Sequence, residues 1–249
     1  MKYIGKYGIF PVVLLLLLAG CRPSASEPDK PVRTVQLKTK SPVLQQTKSR
    51  LECFLEQAGL VDVISLDSSI HHDLRYATSS NFTKVVLYDT LRTVYLQKVA
   101  AMKLVKAQRL LQQSHPELSL IIWDAARPMS IQRKMYRVVA GTPQRDYVAN
   151  PSRTGLHNYG CAVDLSICYA ADSSLLDMGT PFDYFGKAAG IRNEAALVEE
   201  GLLNKEQMHN RQLLRRVMSD AGFLTVKGEW WHFNAVSLAV AKSRYKVLE

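Results

Sequence analysis

The stretch GLHNYGCAVDL, Gly155 to Leu165, sets a histidine seven residues before an aspartate inside a mostly apolar run. A second stretch, GEWWHF from Gly228 to Phe233, sets Glu229 three residues before His232. Together His157, Asp164 and His232 make a set of two imidazoles and one carboxylate. Those donors suit a tetrahedral zinc ion that keeps its fourth position open for water. Zinc brings the pKa of that water to about 7, so hydroxide becomes accessible at neutral pH. Glu229 is left over from the ligand set and is free to take the water's proton. Attack on a scissile carbonyl builds an oxyanion, which calls for a positive group. WDAARP, Trp123 to Pro128, supplies Arg127, whose permanently charged guanidinium donates parallel hydrogen bonds. An ion pair with Asp124 is the competing role for the same arginine.

Each piece also has a plain structural reading. His157 and Asp164 read as a satisfied core histidine beside a turn aspartate, and the two tryptophans as packing. On an ideal strand Glu229 and His232 face opposite ways, so one site needs a strand end, bulge or bend, for which Gly228 is suited.

Positioning these groups takes buried strands and bracing helices. Val43 to Ala58 has helical spacing and stops at Gly59, whereas VDVISL, Val61 to Leu66, reads as a strand. His71 to Phe82 reads as an ordered loop. Val94 to Gln113 carries apolar residues every three or four positions and predicts a helix. LSLIIWDA, Leu118 to Ala125, predicts a strand stopped by the following proline, with a helix over Ser130 to Val139. GCAVDLSI predicts a second buried strand, and Asp177 to Phe185 a loop. Glu206 to Ala221 reads as a helix capped by Gly222, and Phe223 to Phe233 as a hairpin. Without a strict βαβ rhythm, the class is α+β: a small mixed or antiparallel sheet flanked by helices.

The front of the chain addresses location. Lys2 and Lys6 precede an apolar run from Val12 to Leu18, the layout of an export signal over residues 1–20. LAGC, Leu18 to Cys21, resembles a bacterial lipobox, which implies a lipid on Cys21. Residues 21–42 read as a polar tether and 43–249 as one domain. The net charge of +10 is scattered, without a dense basic run or interleaved aromatics, and no nucleic-acid partner is expected. Cys53, Cys161 and Cys168 are odd in number and lack a CxxC; Cys161 and Cys168 are a disulfide or buried core residues.

Five blocks carry a resemblance to a known family: DLRYATSSNFT (Asp73 to Thr83), WDAARP, HNYGCAVDLSI (His157 to Ile167), MGTPFDYF (Met178 to Phe185) and GEWWHF. In type and order they resemble the D-alanyl-D-alanine dipeptidases, a family of zinc peptidases. The resemblance implies an α+β fold with one zinc per chain and hydrolysis of D-Ala-D-Ala to two D-alanines. It implies ligands at His157, Asp164 and His232, a general base at Glu229 and an oxyanion-stabilising Arg127. It further implies that Asp183 binds the substrate's ammonium group and that Tyr76 lines the dipeptide pocket. The chain departs from the family at Gly155, where a serine is usual, and at Ala126, where an aromatic is common. Two alternatives stand beside this: a D,D- or L,D-carboxypeptidase trimming peptidoglycan stem peptides, and a non-catalytic envelope lipoprotein. With the lipid anchor, the expected location is the periplasmic side of the cell envelope.

Overall fold

The computed structural model describes residues 47–249. The signal segment, Cys21 and the tether lie outside the described residues, as does the start of the helix expected from Val43. The first element, α1 (Arg50–Gln57), begins at Ser49 because that residue closes a capping box with Glu52. Ser49 Oγ accepts from the Glu52 amide at 3.1 Å, and the Glu52 carboxylate accepts from the Ser49 amide at 2.8 Å. The helix stops as expected, with Gly59 at φ +86°.

VDVISL does not form one strand. β1 is only Leu60–Asp62, and α2 (Val63–Leu66) follows at once. Asp62 causes the change: its Oδ1 caps the Ile64 amide at 2.9 Å and is itself held by Thr93 Oγ1 at 2.8 Å. The presumed loop at His71 contains a two-residue strand, β2 (His71–His72), before a 3₁₀ turn at Arg75–Ala77. The helix expected from Val94 yields its first turn to β3 (Tyr95–Gln97), which pairs antiparallel with β1. α3 then runs Lys98–Ser114 and buries Ala101, Leu104, Val105 and Leu111.

The main sheet joins β2, β4 (Leu118–Asp124), β5 (Ala162–Tyr169), β7 (His232–Asn234) and β6 (Leu224–Thr225) in that spatial order. β2 runs parallel to β4 and the other pairs are antiparallel, so the sheet is mixed and the fold α+β as expected. β4 is buried throughout and β5 at every position but its last; both are mostly apolar, with Ser119, Asp124, Asp164 and Ser166 the buried polar exceptions. β6 and β7 are the expected hairpin. Bracing comes from α4 (Met129–Val138), α5 (Glu194–Glu199), α6 (Lys205–Asp220) and α7 (Leu238–Arg244). α6 is capped by Asn204 and closed by Gly222 at φ +95°.

Cys161 and Cys168 are free, buried thiols. They stand at opposite ends of β5, and seven extended residues span about 23 Å, well beyond the reach of a disulfide. Burial pushes the Cys161 thiol up to about 12.

Candidate active site

Three of the groups that could do chemistry fall in one register row. Asp124 of β4 faces Asp164 of β5, which faces His232 of β7. A bulge between Ile122 and Asp124 sets that alignment. His157 arrives from outside the sheet on a 3₁₀ turn, Leu156–Tyr159, that closes on Gly160 at φ +66°. A Cβ on Gly160 would come within 2.9 Å of Leu60 Cδ2, so glycine is needed there on both counts.

The donor atoms converge. His157 Nε2 lies 3.2 Å from His232 Nδ1 and 3.3 Å from Asp164 Oδ2, and His232 Nδ1 lies 2.9 Å from Asp164 Oδ1. A tetrahedral zinc with bonds of about 2.0–2.2 Å separates its ligand atoms by roughly 3.3 Å. The remaining ring nitrogens are spoken for. His157 Nδ1 donates to the Ala125 carbonyl at 2.6 Å, and His232 Nε2 to Asn234 Oδ1 at 2.8 Å. Both partners only accept, so His157 Nε2 and His232 Nδ1 are the nitrogens left to face the Asp164 carboxylate. Such a cluster fits a cation at its centre. Burial alone would raise the Asp164 pKa, but the two imidazoles outweigh it and hold the carboxyl far below its usual range.

Glu229 precedes β7, which begins at His232, so the pleat does not separate them. The approach is fixed by the Trp230 amide donating to the Ala189 carbonyl at 3.0 Å and by Trp231 accepting from the Leu165 amide at 3.1 Å. This half-buried glutamate sits with Oε2 4.0 Å from His232 Nδ1. Burial raises its pKa, with the Asp164 charge adding to the effect.

Arg127 makes the ion pair with Asp124 that competed with its catalytic role, and it still lines the cavity. Its Nε donates to Asp124 Oδ2 at 2.9 Å, Nη2 pairs with the same oxygen, and Nη1 donates to Gln132 Oε1 at 3.1 Å. Nη1 also lies 3.9 Å from Met135 Sδ, and the second N–H of Nη2 faces the site, with Asp164 Oδ2 3.8 Å from that nitrogen. The guanidinium also lies 5.2 Å from the centre of the Tyr76 ring and borders the same cavity as the ligand atoms. Tyr76 donates its hydroxyl to Asp183 Oδ2 at 2.9 Å. Asp183 sits at φ +58°, a backbone strain of roughly 1 kcal/mol or more for a non-glycine residue. Burial, reinforced by the Asp164 charge, raises its pKa well above the usual carboxylate value.

All seven side chains thus meet around a cavity of about 340 Å³. Three further contributors were not singled out in the sequence. Asn234 orients His232; its signal was the two-residue spacing, which puts both on one face of β7. Asp124, considered only as a rival claim on Arg127, anchors that arginine and also accepts from Tyr88 at 2.9 Å. Arg211 of α6 is fully buried and donates to the Met178 carbonyl at 2.6 Å, the Ala188 carbonyl at 2.9 Å and Thr180 Oγ1 at 3.3 Å. It thereby ties together the two ends of the loop that carries Asp183, and nothing in its helical sequence context signals that role.

The same residues lie inside regions similar to known proteins. Residues 56–248 match the peptidase M15 family model, described as D-ala-D-ala dipeptidase. A D-alanyl-D-alanine dipeptidase of Escherichia coli K12 is 30% identical over 174 residues, covering 70% of this chain and 83% of the relative. Its namesake in Enterococcus faecalis V583 is 28% identical over 195 residues, covering 69% and 90%. Another, from Enterococcus faecium, is 28% identical over 188 residues, covering 68% and 88%. With the family model spanning most of the chain and its donor atoms gathered at one centre, this protein belongs to the M15 D-ala-D-ala dipeptidase family of metallopeptidases.

Proposed function

We propose that the chain is a zinc dipeptidase that hydrolyses D-Ala-D-Ala to two D-alanines, working in the cell envelope from a lipid on Cys21. The observation that carries the catalytic part is the convergence of His157, Asp164 and His232 at tetrahedral spacing, with the Glu229 carboxylate beside them. Zinc bound by these three supplies a Lewis acid that acidifies water and polarises a carbonyl.

The chain's own residues divide the rest of the work. Glu229 takes a proton from the attacking water and delivers it to the departing nitrogen; its raised pKa suits both transfers. Arg127 turns the free N–H of Nη2 to the oxygen that becomes negative, and Asp124 keeps the guanidinium fixed before the reaction starts. Asp183 receives the substrate's ammonium, and the Tyr76 hydroxyl holds one of its oxygens in place. A substrate with a blocked amino end would leave the Asp183 charge without a partner, a penalty of about 1–3 kcal/mol or more. That selection disfavours acylated stem peptides and sets the carboxypeptidase alternative aside. The names of the similar proteins favour the dipeptide as well.

Purified protein loaded with zinc is expected to release alanine from D-Ala-D-Ala, and exhaustive chelation to abolish release until zinc is returned. The melting temperature is expected to fall on chelation, because an ion bound only by the folded state stabilises it by mass action. Turnover indifferent to chelation would overturn the zinc assignment. For location, membrane fractions are expected to retain the wild type and to lose Cys21→Ser. Equal partitioning of the two would remove the anchor.

A further inference from the structure

The metal cavity borders two other hollows. It shares Phe82 and Asp183 with a larger cavity of about 690 Å³, and Ala149 and Gly155 with a groove of about 450 Å³. Those two neighbours share no lining residue with each other. The metal cavity therefore has an Asp183 end and a Gly155 end. With the ammonium on Asp183, as the proposed function has it, the carboxyl end of a substrate is directed toward Gly155.

A carboxylate there needs a cation. Among the described residues lining the metal cavity, Arg127 is the sole lysine or arginine, and Asp124 and Gln132 already hold it. The groove beyond Gly155 supplies another: Arg153, exposed and without an ion pair among the described residues. Gly155 lines both cavity and groove. Its φ of −104° and ψ of 173° are ordinary extended backbone, and a Cβ there would meet only Asn158 Oδ1, at 3.8 Å. Neither conformation nor packing requires glycine at this position. What its missing side chain provides is open space where the cavity and the groove meet.

We infer that the groove is a subsite for substrate residues beyond the dipeptide, on the leaving-group side. Gly155 is the passage and Arg153 receives the terminal carboxylate. The enzyme then also removes the first residue from a short peptide whose amino end is free. The chemistry is unchanged: the first peptide C–N bond breaks, a C–O bond to water forms, and a water proton ends on the departing nitrogen. The products are an amino acid and the shortened peptide.

The test uses the full zinc-loaded chain with D-Ala-D-Ala, D-Ala-D-Ala-Gly and the carboxyl-terminal amide of that tripeptide. Wild type is expected to cleave the tripeptide with a kcat/KM within about tenfold of the dipeptide's. The amide is expected to be about tenfold worse than the acid, the worth of one charge-assisted contact. Gly155→Val is expected to lower the tripeptide-to-dipeptide ratio by about tenfold or more by filling the passage. Arg153→Gln, an exposed change that leaves the fold intact, is expected to make acid and amide equivalent. Cleavage of the dipeptide with the tripeptide untouched would overturn this inference alone. So would a tripeptide-to-dipeptide ratio indifferent to Gly155→Val, or an acid preference surviving Arg153→Gln. Failure of wild type on both peptides would overturn the dipeptidase reading and the inference with it.

Discussion

Glu229→Gln is expected to lower kcat by about 10²–10⁴-fold, the usual contribution of a positioned general base. The amide keeps the size of the side chain and loses its ability to accept a proton. Its position argues for a clean effect. Glu229 lies outside the proposed ligand trio, with Oε2 4.0 Å from His232 Nδ1, and about half its side-chain surface is open. Metal content, read by elemental analysis, is therefore expected to match wild type, and KM to change little. A variant that loses zinc would make Glu229 a ligand instead. One that keeps full turnover would assign the proton transfer to another group.

Arg127→Met is expected to do two separable kinds of damage. Its guanidinium neutralises Asp124, a fully buried carboxylate that also accepts from the Tyr88 hydroxyl and lies 3.7 Å from His157 Nδ1. Removing the cation leaves that charge stranded, which costs about 3–5 kcal/mol of stability. In the role proposed for Arg127 it also removes a donor to the developing oxyanion, worth about 10²–10³-fold in kcat. Adding Asp124→Asn distinguishes the two, because it deletes the stranded charge and nothing aimed at substrate. The double variant is expected to recover most of the melting temperature and none of the kcat. Recovery of both would reduce Arg127 to a structural ion pair.

Most of the sheet was legible in the sequence, because β4, β5 and the β6–β7 hairpin are apolar runs bounded by turn residues. The misread elements share a physical cause: a single local contact or a distant partner overrode the pattern. Asp62 turned half of an apolar run into a helix, and pairing with β1 drew Tyr95–Gln97 out of a helical repeat. The proposed ligands and the base were legible as chemical types, since zinc chemistry needs imidazole and carboxylate in short, recognisable blocks. What could not be read was which polar groups brace them. Arg211 and Asp124 matter because tertiary packing buries them, and a helix or strand pattern does not say which charged residue ends up inside.

The alignment of Asp124, Asp164 and His232 in one row across three strands bears on how the protein comes to hold its metal. Asp164 and His232 are 68 residues apart, and the strand carrying Asp124 pairs across a further long excursion. Such non-local pairings form late, after the entropy of closing large loops has been met. A nascent or partly folded chain accordingly lacks the full chelate. Metal capture at the proposed centre would then report that β-sheet assembly is complete, with hydrolytic competence following from it.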